Sequence, residues 1–196
     1  MNHAFSLPAY YLITPEPASG SDADLAAFLA RLSAALEAGQ SFVQLRVKTL
    51  DAGAYAALAA AAVARCHAHS ARIVLNGPLD AAQALASGAD GVHLGSARML
   101  AIATRPLPPD RLLSAACHSA DELRHAERIG ANCVTLSPVL PTLSHPGAPT
   151  LGWDAFEACA AQASMPVYAL GGMTRESLPV ARRHRAHGIA GIRGFW

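Results

Sequence analysis

The chain has 196 residues, 52% of them hydrophobic and 15% charged, with a formal charge of +1. That composition supplies a large core and excludes a disordered chain. A near-neutral balance with no long basic or acidic run argues against nucleic acid or a charged membrane surface as the main partner.

The length fits one domain over residues 1–196. No apolar run is long enough to span a membrane, since Arg65 ends the Ala-rich stretch YAALAAAAVARC. The opening MNHAFSLPAYYLITPEP lacks a charged segment followed by an apolar one, so it does not read as a secretory leader. Cys66, Cys117, Cys133 and Cys159 are too widely spaced for a zinc site or redox pair. They are expected as reduced thiols of a cytoplasmic protein.

Short β-rich runs alternate with Ala-rich runs of helical character. AYYLIT predicts a first strand, and a helix from Asp22 to Ala38 follows, stopped by Gly39. SFVQLRV predicts a second strand, then a helix from Ala54 to His69. RIVLN is a third strand, and Pro78 opens a helix at a position where proline is tolerated. GVHL is a fourth, followed by an irregular Pro-rich piece to Asp110. LLSAACH is a fifth; Ser119 then caps a helix with Glu122 spaced for a capping box. NCVTLSPV is a sixth, leading through a long polar loop to a helix from Trp153 to Ala163. PVYAL is a seventh, a helix starts near Arg175, and GIAGIRG is the eighth.

Eight strands alternating with helices, apolar on both faces, predict a parallel sheet. The pattern of a glycine, small residues and an apolar run recurs around Gly39, Gly88, Gly130 and Gly188, each glycine read as closing a helix. Four units of two strand–helix pairs make a (βα)8 TIM barrel, with a doubly wound open sheet as the alternative. The eighth strand lies too near Trp196 for a final helix to follow it. Phe195 and Trp196 folding back, or a second copy in a homo-oligomer, would cover the apolar face that such a helix would protect.

In such a barrel the C-terminal strand ends carry the site. Those positions hold Thr14, Gln44, Arg46, Lys48, Asn76, His93, His118, Ser119, Ser137, Thr142, Ser144, His145, Gly171, Gly172, Ile192 and Arg193. The set is polar and cationic, with no acid in it, and suits an anion such as a phosphate ester. Two cations ending one buried strand, Arg46 and Lys48, call for an anionic partner. His93, inside GVHLG, reads as a hydrogen-bonded barrel residue, and Asp90 in GADG as a turn residue. His67, His69, His125, His184 and His187 are expected on solvated helix faces.

The ordered segments VQLRVK, IVLNG, GADGVHLG, ACHS, SPVLPTLSHPG and ALGGM resemble the motifs of the thiamin phosphate synthase and TenI superfamily across nearly the whole chain. The resemblance implies that Gln44, Arg46 and Lys48 match a diphosphate clamp, with Asn76 beside it. It implies that Thr142, Ser144, Gly171, Gly172, Ile192 and Arg193 cup the phosphate of a thiazole. The synthases take magnesium from two aspartates whose places here hold Gly77 and Arg98, and neither side chain is an oxygen ligand. His145 replaces the lysine that steadies departing diphosphate. No metal cofactor is therefore expected.

TenI has this profile of a kept thiazole-phosphate half and a lost magnesium half. The resemblance implies a thiazole phosphate tautomerase, with His118 as the group that takes and returns a proton. His118 also reads as a plain hydrogen-bonded core histidine, because synthases carry the same His-Ser pair. Two alternatives stay open. One is a true synthase coupling a pyrimidine diphosphate to a thiazole phosphate, with magnesium held by Asp80 or Asp90. The other is a non-catalytic phosphate-binding protein or partner of a separate Nudix hydrolase, since GIAGIRGFW resembles TenI-like halves joined to Nudix enzymes.

Overall fold

The structure is a computed structural model that describes residues 5–142, 147 and 149–196. Eight parallel strands close a barrel in sequence order: β1 Tyr10–Ile13, β2 Phe42–Arg46, β3 Arg72–Asn76, β4 Gly91–Leu94, β5 Leu112–Cys117, β6 Cys133–Leu136, β7 Val167–Leu170 and β8 Gly188–Gly191. β8 pairs with β1 through Tyr10 and Ile189, so the sheet has no open edge. This is the expected TIM barrel, and the open-sheet alternative falls.

Helices α1 Asp22–Glu37, α2 Ala52–Ala68, α3 Ala81–Ala86, α4 Ser96–Leu100, α5 Ala120–Arg128, α6 Gly152–Ala160 and α7 Leu178–Arg183 surround it. Helix ends depart from expectation where a better cap lies nearby. Ser21, not Asp22, accepts from the Asp24 amide, and Asp80 starts α3 by a reciprocal box with Gln83, two residues past Pro78. The Pro-rich piece hides the five-residue α4, too short to show periodicity. Gly39, Gly88 and Gly130 do close helices with positive φ. Gly188 does not: Arg185 takes the left-handed position, and Gly188 is the first residue of β8.

Register sorts the side chains. Outward residues such as Ile73, Leu75 and Val134 pack against the helices. Inward residues Tyr11, Phe42, Val74, Leu112, Cys133 and Tyr168 fill the barrel. Tyr11 stacks on Phe42 with centroids 4.1 Å apart. Burial pushes the Cys66, Cys117 and Cys133 thiols up to about 12, keeping them protonated, and all four cysteines are free.

After β8 the chain turns back. Phe195 is 5% exposed, and the Trp196 ring lies 4.9 Å from that of Phe28 with the Arg31 guanidinium over it. The aromatic pair thus covers the α1 face from within the chain. Replacing Trp196 by alanine is expected to cost about 1–2 kcal/mol, the loss of a partly buried ring; a urea midpoint that does not move would contradict this packing.

Of the helix histidines expected in solvent, four have partners. His67 meets Asp90 at 3.1 Å and His184 meets Glu157 at 2.9 Å. His125 bonds the Ile102 carbonyl and His187 the Leu7 carbonyl. No helix among the described residues is long and apolar enough to cross a membrane.

Candidate active site

The inward period-2 positions of β2 carry Gln44 and Arg46 toward one rim, level with Val74 and Asn76 of β3. Gln44 is 1% exposed and lies within the barrel rather than at its mouth. Asn76 Nδ2 donates to Gln44 Oε1 at 2.8 Å, and Gln44 Nε2 donates to the Tyr11 hydroxyl at 3.1 Å. Tyr11 in turn lies 3.3 Å from Ser114 Oγ, which is 2.9 Å from His93 Nδ1. The donors run in one direction from Asn76 to the ring if His93 is neutral and accepts at Nδ1.

Burial, with the Lys48 and Arg46 charges adding to it, pushes His93 down to about 3 from 6.5. His93 is thus the hydrogen-bonded barrel residue expected. The unfolded chain binds its proton near 6.5 and the folded chain resists it down to about 3. Stability from the neutral ring is therefore full above pH 6.5 and lost as pH falls toward 3. His93 alone is expected to remove about 2 kcal/mol between pH 7 and pH 5. Urea unfolding across that range checks it, with His93→Gln flattening the slope by about one proton.

One acid overturns the picture of a purely cationic rim. Glu16, just past β1, accepts from Arg46 Nη1 at 3.2 Å, from the Lys48 amide at 3.0 Å and from Thr49 Oγ1 at 3.1 Å. The Arg46 amide donates to Thr14 Oγ1 at 3.0 Å, tying β1 to β2 at this end. Arg46 is therefore compensated within the chain, while the Lys48 ammonium has no hydrogen bond or ion pair among the described residues.

A cavity of about 400 Å³ opens where β2, β3 and β4 end, lined among others by Lys48, Asn76, Gly77, Ser96 and Arg98. Arg98 donates to the carbonyls of Gly77 at 3.0 Å and Leu79 at 3.4 Å. A Cβ at Gly77 would stand 2.2 Å from Tyr55 Cζ. Tyr55 is fully buried and donates to the Leu45 carbonyl at 3.3 Å, so its ring is not free to leave. A carboxylate cannot enter at position 77 without displacing that ring, and at 98 the side chain is a cation. The residues here do not fit a magnesium ion. The substitutes do not repair this. Asp80 is spent capping α3. Asp90 precedes β4 at the opposite end of the barrel, accepting from the Ile73 amide at 2.8 Å.

His118 follows β5 and is half-exposed. Its Nδ1 lies 3.0 Å from Glu122 Oε2, and its amide donates to the same oxygen at 2.8 Å. Glu122 Oε1 accepts from Ser96 Oγ at 2.9 Å, which links this pair to the cavity wall. The expected capping box is half made: Ser119 Oγ accepts from the Glu122 amide at 3.3 Å, but the Glu122 carboxylate turns to His118 instead of the Ser119 amide. In the neutral ring such a pairing favours the tautomer with the proton on Nδ1 and the lone pair on Nε2.

On the far rim, Gly171 and Gly172 have φ of 101° and 69°. A Cβ on Gly171 would come within 2.9 Å of Pro138, and one on Gly172 within 2.8 Å of the Pro141 carbonyl oxygen. Both glycines thus let the turn after β7 lie against the loop after β6. Ile192 packs partly buried against the inner barrel cluster, and Arg193 is exposed. Thr142 stands at the described end of the β6–α6 loop. Ser144 and His145 lie outside the described residues.

Fold and rim together define a TIM barrel with a cationic mouth. The family model described as "Thiamine monophosphate synthase" matches residues 10–195, and the chain belongs to that thiamin-biosynthesis enzyme family. It is 35% identical over 189 residues to an Aquifex aeolicus protein named "Putative thiamine-phosphate synthase 2", covering 96% of this chain and 98% of that one. It is 37% identical over 160 residues to the thiamine-phosphate synthase of Chlorobium luteolum, covering 81% and 74%. Among solved structures, thiamine phosphate pyrophosphorylase from Pyrococcus furiosus superposes with a TM-score of 0.70 at 22% identity, over 93% of this chain and 84% of that one, a likeness of fold.

Proposed function

We propose that this chain acts on a phosphorylated thiazole precursor of thiamin by proton transfer, as a tautomerase, rather than by displacing a diphosphate. The observation that carries this reading is the His118–Glu122 pair, with Nδ1 engaged at 3.0 Å and Nε2 left to exchange a proton. His118 takes a proton from the sp3 ring carbon through Nε2, and the half-exposed imidazole, exchanging with solvent, delivers a proton elsewhere on the same conjugated framework. The ring becomes aromatic and no electron is gained or lost. Gly171, Gly172, Thr142 and Arg193 hold the phosphate at the opposite side of the mouth, and the resemblance adds Ser144 and His145 to its ligands. Tyr55 against Gly77, and Arg98 in the adjoining wall, support chemistry that uses no metal.

A second reading is favoured by the relatives' names: a thiamine-phosphate synthase joining a pyrimidine diphosphate to the thiazole phosphate. The two are separated by incubating the protein with the non-aromatic thiazole carboxylate phosphate in EDTA, and separately with thiazole phosphate and pyrimidine diphosphate in magnesium. Aromatisation in the first tube and no coupled product in the second are expected. Coupling with no aromatisation would give the site to the synthase.

A further inference from the structure

The Glu122 carboxylate stands between three elements. Its Oε2 accepts from the His118 amide at 2.8 Å and lies 3.0 Å from His118 Nδ1, just past β5. Its Oε1 accepts from the Ser96 hydroxyl at 2.9 Å, at the first residue of α4. The Ser119–Glu122 spacing offers the same carboxylate another place, the Ser119 amide, where it would complete the cap of α5. Its side chain is 18% exposed, so little water stands ready to replace a lost partner. The Ser96 hydroxyl has a fixed base, because Met99 of α4 is fully buried and its amide donates to the Gly95 carbonyl at 2.9 Å. Farther along α4, His125 Nε2 of α5 donates to the Met99 and Ile102 carbonyls at 3.1 and 2.9 Å. α4 is therefore docked on α5 without Ser96. Arg98, the one charged side chain of α4, turns to the Gly77 and Leu79 carbonyls, which leaves Glu122 as the charged partner of the His118 ring among the described residues.

We infer that Ser96 is a positioning residue for His118, an inference that rests on the proton-transfer reading above. Its hydroxyl pins the Glu122 carboxylate on Nδ1 and away from the α5 cap, which keeps the lone pair of the neutral ring on Nε2. Without that hydroxyl no other donor among the described residues meets Oε1, and the carboxylate gains by turning to the Ser119 amide. The ring then loses the contact that selects its tautomer, and the proton spreads over both nitrogens. α5, with its cap completed, is held at least as well as before. Removing Ser96 thus costs chemistry and spares stability, the opposite of what a packing role would give.

The test uses the whole chain, with isotope-labelled histidine and no substrate. Ring-nitrogen NMR shifts are read at about pH 9, above the ordinary histidine range, and the His118 signals are those missing from His118→Ala. A protonated Nδ1 and a bare Nε2 are expected in the wild type. Ser96→Ala is expected to bring the two nitrogen shifts toward each other without lowering the urea midpoint. It should also reduce kcat for the thiazole carboxylate phosphate about tenfold with KM little changed, the loss of one hydrogen bond to a charged group. Ser96→Thr keeps the hydroxyl and should restore both. His125→Ala cuts the other α4–α5 contact and should lower the midpoint while leaving the His118 signals in place. Ring signals unchanged in Ser96→Ala, or displaced as far in His125→Ala, would overturn the inference. A wild type that aromatises nothing would sink the proton-transfer reading instead, and the ring signals would still show whether Ser96 sets the His118 tautomer.

Discussion

Replacing His118 by alanine is expected to lower turnover of the thiazole carboxylate phosphate by at least about 100-fold, the usual worth of one general acid–base group. Affinity for the phosphate should change little, because the proposed phosphate contacts are made by other residues. His118 is half-exposed and, among the described residues, its ring hydrogen-bonds only to Glu122, so the fold should survive the change. Glu122→Gln should reduce turnover less than His118→Ala, since Ser119 still caps α5 and the ring remains present. Equal loss of binding and turnover in His118→Ala would make the residue a structural contact and remove it from the chemistry.

The largest stability effect is expected at Gly77. Aspartate there would force its Cβ into three atoms of the Tyr55 ring, the nearest at 2.2 Å. Tyr55 is fully buried, and burial raises its hydroxyl well above the ordinary tyrosine value, so it cannot adapt by ionising. Overpacking of this kind costs about 3 kcal/mol or more once a carboxylate must also be accommodated. A double-mutant cycle with Tyr55→Ala isolates the contact: Gly77→Asp should cost much less in the trimmed background. An unchanged urea midpoint for Gly77→Asp alone would mean that the ring yields freely and that position 77 is open to a ligand carboxylate.

The barrel was legible because its signals are local and repeated. Each strand is a short apolar run, and glycines such as Gly39, Gly88 and Gly130 mark helix ends by a backbone angle that few other residues adopt. Where another residue took that angle, as Arg185 does, the repeat misled and Gly188 was read as a helix stop. Part of the cationic half of the mouth was legible too, because Gln44 and Arg46 share a face by the period of β2, with Lys48 lining the cavity just past its end. What could not be read were contacts between loops. Glu16 reaches Arg46 across 30 residues, and nothing in TPEP names that partner. Tyr55 looks like any core aromatic of an amphipathic helix until Gly77 is seen beneath its ring. The Ser119–Glu122 spacing announced a reciprocal cap, yet the Glu122 carboxylate meets His118, one residue earlier, instead.

Deuterium wash-in tests the central claim most directly. Metal-stripped protein is incubated in D2O with the thiazole carboxylate phosphate and EDTA, and the product is read by NMR. One deuteron per turnover is predicted for the wild type, with none above background for His118→Ala. Deuterium entering the product as fast with His118→Ala as with the wild type, or exchange that starts only when magnesium is added, would contradict metal-free proton transfer through His118.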